Sequence, residues 1–147
     1  SVSTAQEMLG VCLELKASCD LFIACAAVAD YRPASVAEQK IKKSGKRTEL
    51  ILEPNPDIVA TIAAEDPKPF IVGFAAETEN LRQYAQGKRE KKKMDMIVAN
   101  DVSDPAIGFN SDCNAALLLW QEGEREIPRC TKATMAGQII DQIAQLL

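Results

Sequence analysis

Apolar residues in this chain follow two spacings, one helical and one continuous, and the switches between them mark the elements. From Thr4 to Ala17, residues Ala5, Met8, Leu9, Cys12, Leu13 and Leu15 recur mainly at helical spacing, with Thr4 suited to the cap position. Leu21-Phe22-Ile23-Ala24-Cys25-Ala26-Ala27-Val28 is continuously apolar, which predicts a strand buried on both faces of a parallel sheet. The run ends at Ala29-Asp30-Tyr31-Arg32-Pro33, where proline is expected to stop regular structure. Residues 34–47 are polar and lysine-rich and predict a mobile loop. The alternation over Glu49–Glu53 predicts a short strand.

Pro54-Asn55-Pro56-Asp57 reads as a turn, with Asp57 capping a helix through Ile58, Val59, Ile62, Ala63 and Ala64 that Pro67 and Pro69 close. Phe70–Ala76 predicts a second buried strand, 79–93 a helix, and Met96–Ala99 a third strand ending at Asn100-Asp101. After a loop through Pro105 and Gly108-Phe109-Asn110-Ser111-Asp112 come a strand over Ala115–Gln121, a hairpin through Gly123 to Arg125–Arg129, and a final amphipathic helix from Thr131 or Lys132 to Leu147. Alternating strands and helices, with strands apolar on both faces, predict a single α/β domain with a mainly parallel sheet. Ligands in such sheets bind beyond the carboxyl ends of the strands.

Composition narrows the chemistry. A net charge of −4 argues against a general nucleic-acid or membrane-surface binder, yet leaves room for a small anionic ligand at a local basic cluster. The apolar run from Leu21 to Ala29 is too short for a bilayer, which needs about 20 residues, so the expectation is a soluble cytoplasmic protein. Cys12, Cys19, Cys25, Cys113 and Cys130 form no CxxC pair and suit reduced thiols; Cys25, inside an apolar run, is expected to be a small buried hydrophobe. Histidine is absent, which removes Ser-His-Asp and Cys-His schemes and most zinc catalysis.

Several groups can carry chemistry, each beside a plainer reading. Asp30, after the first strand, either meets a ribose hydroxyl or metal-bound phosphate or bonds only its own turn. Lys40, Lys42, Lys43, Lys46 and Arg47 form either a lid over phosphates or a solvated charge run. Lys88 and Lys92 lie four apart on one helix face, about 6 Å apart at Cβ, a repulsion that a bound anion would offset. The plainer reading is a cationic helix end favoured by the dipole. Asn55-Pro56-Asp57-Ile58-Val59 opens a helix whose amides can meet an anion, or Asp57 merely caps it. Gly73 permits a close backbone approach, and Phe74 packs either on a base or in the core. Composition and periodicity reach as far as an anion-binding α/β domain.

In combination these segments resemble the bacterial phosphopantothenoylcysteine synthetase family. The matching motifs, in order, are Ala26-Ala27-Val28-Ala29-Asp30-Tyr31-Arg32-Pro33, Lys40-Ile41-Lys42-Lys43, Asn55-Pro56-Asp57-Ile58-Val59, Val72-Gly73-Phe74-Ala75-Ala76-Glu77-Thr78, Lys88-Arg89 with Lys92, Val98-Ala99-Asn100-Asp101-Val102 and Gly108-Phe109-Asn110-Ser111-Asp112. The resemblance implies a three-layer Rossmann-like fold, a homodimer, and fusion behind a flavin-dependent decarboxylase. It implies CTP-dependent joining of 4'-phosphopantothenate to cysteine through an acyl-cytidylate, with Mg2+ accompanying CTP. By motif, Ala24, Cys25, Ala26 and Asp30 would line the CTP pocket, and Lys40 would be the catalytic flap lysine. Pro56, Asp57, Ile58 and Val59 would border the nucleotide with Phe74 beside it, and Lys88 and Lys92 would contact it from their helix. Asn100 and Gly108–Asp112 carry no implied role.

The family begins with a strand, a glycine-rich turn and a segment whose asparagine processes the acyl intermediate, whereas this chain starts at a later helix. The expectation is therefore an N-terminally incomplete synthetase domain over residues 1–147, with weakened CTP binding and impaired synthesis. The alternatives are a non-catalytic nucleotide-binding relative and a Rossmann-like NAD(P) oxidoreductase; against the latter, the chain shows no GxGxxG turn.

Overall fold

A computed structural model describes residues 1–43, 45–77, 79–101 and 112–147. Thr4 starts the first element as its pattern predicts. Its Oγ1 accepts from Glu7 N–H at 3.1 Å, while the Glu7 carboxylate accepts from Thr4 N–H at 3.3 Å. This capping box opens α1 (Ala5–Leu15). The chain continues through β1 (Leu21–Ala24), β2 (Tyr31–Pro33), β3 (Leu52–Pro54), α2 (Ile58–Ala63) and β4 (Phe70–Glu77). It ends with α3 (Leu81–Lys91), β5 (Met96–Asp101), β6 (Cys113–Trp120), β7 (Glu124–Thr131) and α4 (Lys132–Leu146).

The main sheet has the order β1-β4-β5-β6-β7. β1, β4 and β5 pair in parallel, β6 is antiparallel to β5, and β7 returns antiparallel to β6, so every strand but β6 points one way. Because side chains alternate across a strand, Ile71, Ala75, Ile97 and Ala99 face α1, α2 and α3, while Val72, Met96 and Val98 face Met135, Ile139 and Ile143 of α4. The result is the predicted three-layer, Rossmann-like α/β fold with a mainly parallel central sheet.

The structure corrects four local expectations. β1 pairs only over Leu21–Ala24, because it is an edge strand matched to Phe70–Gly73 of β4. Residues 25–30 leave the sheet and are exposed, so Cys25 is a surface residue and not a buried hydrophobe. Pro33 does not stop regular structure: Tyr31–Pro33 pairs antiparallel with Leu52–Pro54, with Pro33 at the outer end of a two-stranded ladder where no inner N–H is required. The short strand expected at Glu49–Glu53 accordingly falls at Leu52–Pro54. Finally, the close approach at Gly73 is made by a side chain of this protein, since a Cβ there would overlap the Met94 thioether. The segment 102–111, which includes Gly108–Ser111, lies outside the described residues.

Candidate functional site

Parallel register brings the ends of β1 and β4 together with the connection that precedes α2. Ala24 pairs with Gly73, and Glu77, three residues beyond the exposed Phe74, pairs with Asp101. The chain leaving β1 is then tied back to the segment before α2. Asn55 N–H donates to Asp30 O at 2.8 Å, Asn55 Nδ2 donates to Ala29 O at 2.9 Å, and Asn55 Oδ1 accepts from Arg32 Nη1 at 3.1 Å. Arg32 also donates to Pro54 O at 3.2 Å and pairs with Glu53 at 2.6 Å. Asp30 therefore stands close to the start of α2. Its carboxylate has no hydrogen-bond partner among the described residues, so it does not serve as a brace for its own turn.

Asp57 caps α2 as its position predicts: Oδ1 accepts from Ala60 N–H at 3.0 Å, and Oδ2 lies 3.0 Å from Lys92 Nζ. Partial burial pushes this carboxyl up, but the Ala60 hydrogen bond, the bond and charge of Lys92 and the charge of Lys91 together outweigh it. The pKa falls below the ordinary aspartate value. Lys88 Nζ meets Glu77 Oε1 at 2.6 Å. The two lysines thus share a helix face, as their spacing predicts, and each ammonium is held against a carboxylate from another element. Their partners, Glu77 and Asp57, come from distant points in the chain, and no local spacing announces the pairing.

The other predicted residues divide into those brought to this end and those not. Ala24 ends β1, and exposed Cys25 and Ala26 follow it; although the residue is on the surface, partial desolvation of the Cys25 thiol by neighbouring atoms pushes it up, away from thiolate chemistry at neutral pH. Pro56 precedes the cap. Ile58 is core and Val59 packs against the core, so only the backbone of these two remains for a ligand. Phe74 is 37% exposed and not a core residue. By strand alternation it shares a sheet face with Val72, the face opposite the α3 lysines. Lys40 lies exposed in the 34–51 connection between β2 and β3, with no hydrogen bond or ion pair to the rest of the site among the described residues.

Sequence reading missed Asn55 as a brace. It also missed the state of Asn100, near the end of β5, whose buried Oδ1 has no hydrogen-bond partner among the described residues. The arrangement offers ammonium groups, one unengaged carboxylate and a half-exposed aromatic ring at the carboxyl end of a parallel sheet. That set suits a phosphate-bearing ligand with a planar ring.

Comparisons with known proteins bear on the family and the fold. A family model described as the DNA/pantothenate metabolism flavoprotein C-terminal domain matches residues 1–147. The chain is 47% identical to the coenzyme A biosynthesis bifunctional protein CoaBC of Vibrio vulnificus over 100% of its own length and 37% of that protein. It is 47% identical to the same protein of Escherichia coli K12, over 97% of this chain and 36% of that one, and 35% identical to that of Bacillus subtilis. It thus spans little more than a third of these relatives. The crystal structure of the C-terminal domain of a CoaBC protein superposes with a TM-score of 0.78 at 34% identity, covering 99% of this chain and 63% of that one. A DNA/pantothenate metabolism flavoprotein from Streptococcus pneumoniae, at 20% identity and TM-score 0.80, shares the fold over 99% of this chain and 72% of its own.

Proposed function

Given that the chain belongs to the DNA/pantothenate metabolism flavoprotein C-terminal domain family, we propose that it is the synthetase part of a coenzyme A biosynthesis protein. In this reading it joins 4'-phosphopantothenate to cysteine at the expense of CTP. The phosphopantothenate carboxylate attacks the α-phosphorus of CTP, forming the acyl-cytidylate and releasing pyrophosphate. The cysteine amine then attacks the acyl carbon and loses a proton, the bond from that carbon to the bridging oxygen breaks, and CMP departs carrying that oxygen. Both steps develop charge on phosphate or acyl oxygens and need positioned cations more than a protein nucleophile, which agrees with a sequence without histidine.

The observation that carries this reading is the placement of Lys88 and Lys92. Each stands in an ion pair, at 2.6 Å to Glu77 and 3.0 Å to Asp57, with the second at the start of α2. The Lys92–Asp57 pair is partly exposed on both sides and contributes little stability, so a triphosphate can take over that ammonium group at small cost. Asp30 receives the ribose, Phe74 flanks the base, and Pro56, the Asp57 cap and the backbone of Ile58 and Val59 at the start of α2 border the nucleotide. Lys40 closes over the reacting phosphate from its exposed connection. Magnesium arrives with CTP. In this reading the protein binds the magnesium-complexed triphosphate through its ammonium groups.

Two further parts of the reading have support, one on the surface and one in the relatives. Tyr31, Val36, Ile41, Leu50, Ile51 and Leu52 all expose apolar side chains on β2, β3 and their connection, a surface suited to a second copy in a homodimer. The relatives are bifunctional proteins of greater length, which supports fusion to a flavin-dependent decarboxylase. No helix among the described residues is long and apolar enough to cross a membrane. The test is a product assay on the protein as its gene encodes it, supplied with CTP, Mg2+, 4'-phosphopantothenate and cysteine. Equal yields of CMP, pyrophosphate and ligated product are expected; CMP release that continues through many turnovers without cysteine would contradict ligation.

A further inference from the structure

The β2–β3 ladder pairs only Tyr31 with Pro54, Arg32 with Glu53 and Pro33 with Leu52. A two-stranded ladder of that length is marginal on its own, yet the turn after β1 and the start of α2 both depend on it for their relative position. Asn55 reinforces this junction from within. Its backbone N–H reaches Asp30 O at 2.8 Å, and its side-chain amide spans the gap in both senses, donating to Ala29 O at 2.9 Å and accepting from Arg32 at 3.1 Å. Only a primary amide of this length offers a donor and an acceptor together; aspartate loses the donor, and alanine loses both.

We propose that Asn55 is a positioning residue that locks the turn carrying Asp30 to the start of α2, so that both present one rigid surface to the nucleotide. The nucleotide half of this statement rests on the synthetase reading above; the lock itself does not. Without the lock, Asp30 and the Pro56–Val59 backbone move independently, and ordering them becomes a cost of binding CTP rather than of the bond-making steps.

The experiment compares wild type, Asn55→Ala and Asn55→Asp in the protein as its gene encodes it, by amide hydrogen exchange and steady-state kinetics. The reporter amides are Val28, which bonds Ala26 O at 3.1 Å, and Ala60 and Thr61, which bond Asp57 at 3.0 and 2.9 Å. In Asn55→Ala both reporter groups exchange faster, by roughly tenfold, while Ile97 to Ala99 in β5 stay protected and certify the fold. KM for CTP rises by roughly tenfold, with KM for cysteine unchanged and kcat little altered. Asn55→Asp keeps the Arg32 contact, loses the Ala29 bond, and serves the same comparison if the alanine variant does not fold. Unchanged exchange at the reporter amides overturns the lock. Faster exchange with wild-type KM for CTP overturns its role in positioning the nucleotide. Faster exchange in a protein that neither binds nor consumes CTP upholds the lock and refutes the synthetase reading alone.

Discussion

The two ends of the sheet hold cations in contrasting ways. At the amino end of β4 and β5 a cleft of about 470 Å³ is lined by Lys68, Phe70, Arg89, Asp95, Trp120 and Leu146, among others. Two of its cations are engaged with the protein itself, although the buried Arg89 Nε has no hydrogen-bond partner among the described residues. Lys68 pairs with Asp95 at 2.8 Å, Asp95 Oδ2 also accepts from Ile71 N–H at 2.8 Å, and Arg89 donates to Met94 O at 3.4 Å. By contrast, Lys88 is half exposed against Glu77 at the carboxyl end of β4, Lys92 pairs with Asp57 at the start of α2, and Lys40 is exposed. The size of a hollow reports how loops pack around a sheet. Anion binding depends instead on cations whose present partners a ligand can replace, and these gather where a parallel sheet ends.

Substitutions at the two ends should therefore diverge. Lys40→Gln is expected to lower turnover by roughly a hundredfold or more while weakening CTP binding far less. Lys68→Gln, at the amino-end cleft, leaves turnover unchanged. Product formation measured beside CTP affinity checks both, and comparable losses in the two variants would erase the contrast. Gly73→Ala forces the Met94 side chain aside and should destabilise the protein by about 1–3 kcal/mol in denaturant titration. Its CTP preference over ATP is expected to survive in the folded fraction.

Smaller effects follow at the ion pairs. Lys88→Gln and Lys92→Gln should each weaken CTP binding by roughly three- to tenfold, read by calorimetry, whereas Lys93→Gln at the cleft leaves it alone. Asp57→Asn keeps a good cap and loses the Lys92 pair, so it should cost only a few tenths of a kcal/mol. Since the folded-state pKa of Asp57 is depressed, its contribution to stability is full above the ordinary aspartate value and is lost as pH falls through the depressed one. Urea midpoints taken between neutral and acid pH should show wild type losing this increment on acidification and Asp57→Asn lacking it.

The strands at the centre of the sheet were legible because Phe70–Ala76 and Met96–Ala99 are apolar on both faces, as burial between two helix layers demands. The same signal overextended β1. Residues 25–28 are as apolar as 21–24, and nothing local states that the strand lies at an edge with β4 as its neighbour in the main sheet. Phe74 was ambiguous for a related reason: in an all-apolar strand the exposed position does not differ in character from its neighbours. Asp57 as a cap and the shared face of Lys88 and Lys92 were readable from spacing. The Asn55 brace was not, because its partners Ala29 and Arg32 come from before the long connection between β2 and β3.

The central claim, that the carboxyl end of this sheet is a CTP site, is tested most directly by nucleotide titration with magnesium. CTP, ATP and NADPH would each be titrated calorimetrically into the protein as its gene encodes it and into its Lys88→Gln, Lys92→Gln double variant. The account predicts preferential binding of CTP that weakens in the double variant. Tight NADPH binding with no response to CTP, or CTP binding indifferent to both lysines, would contradict it.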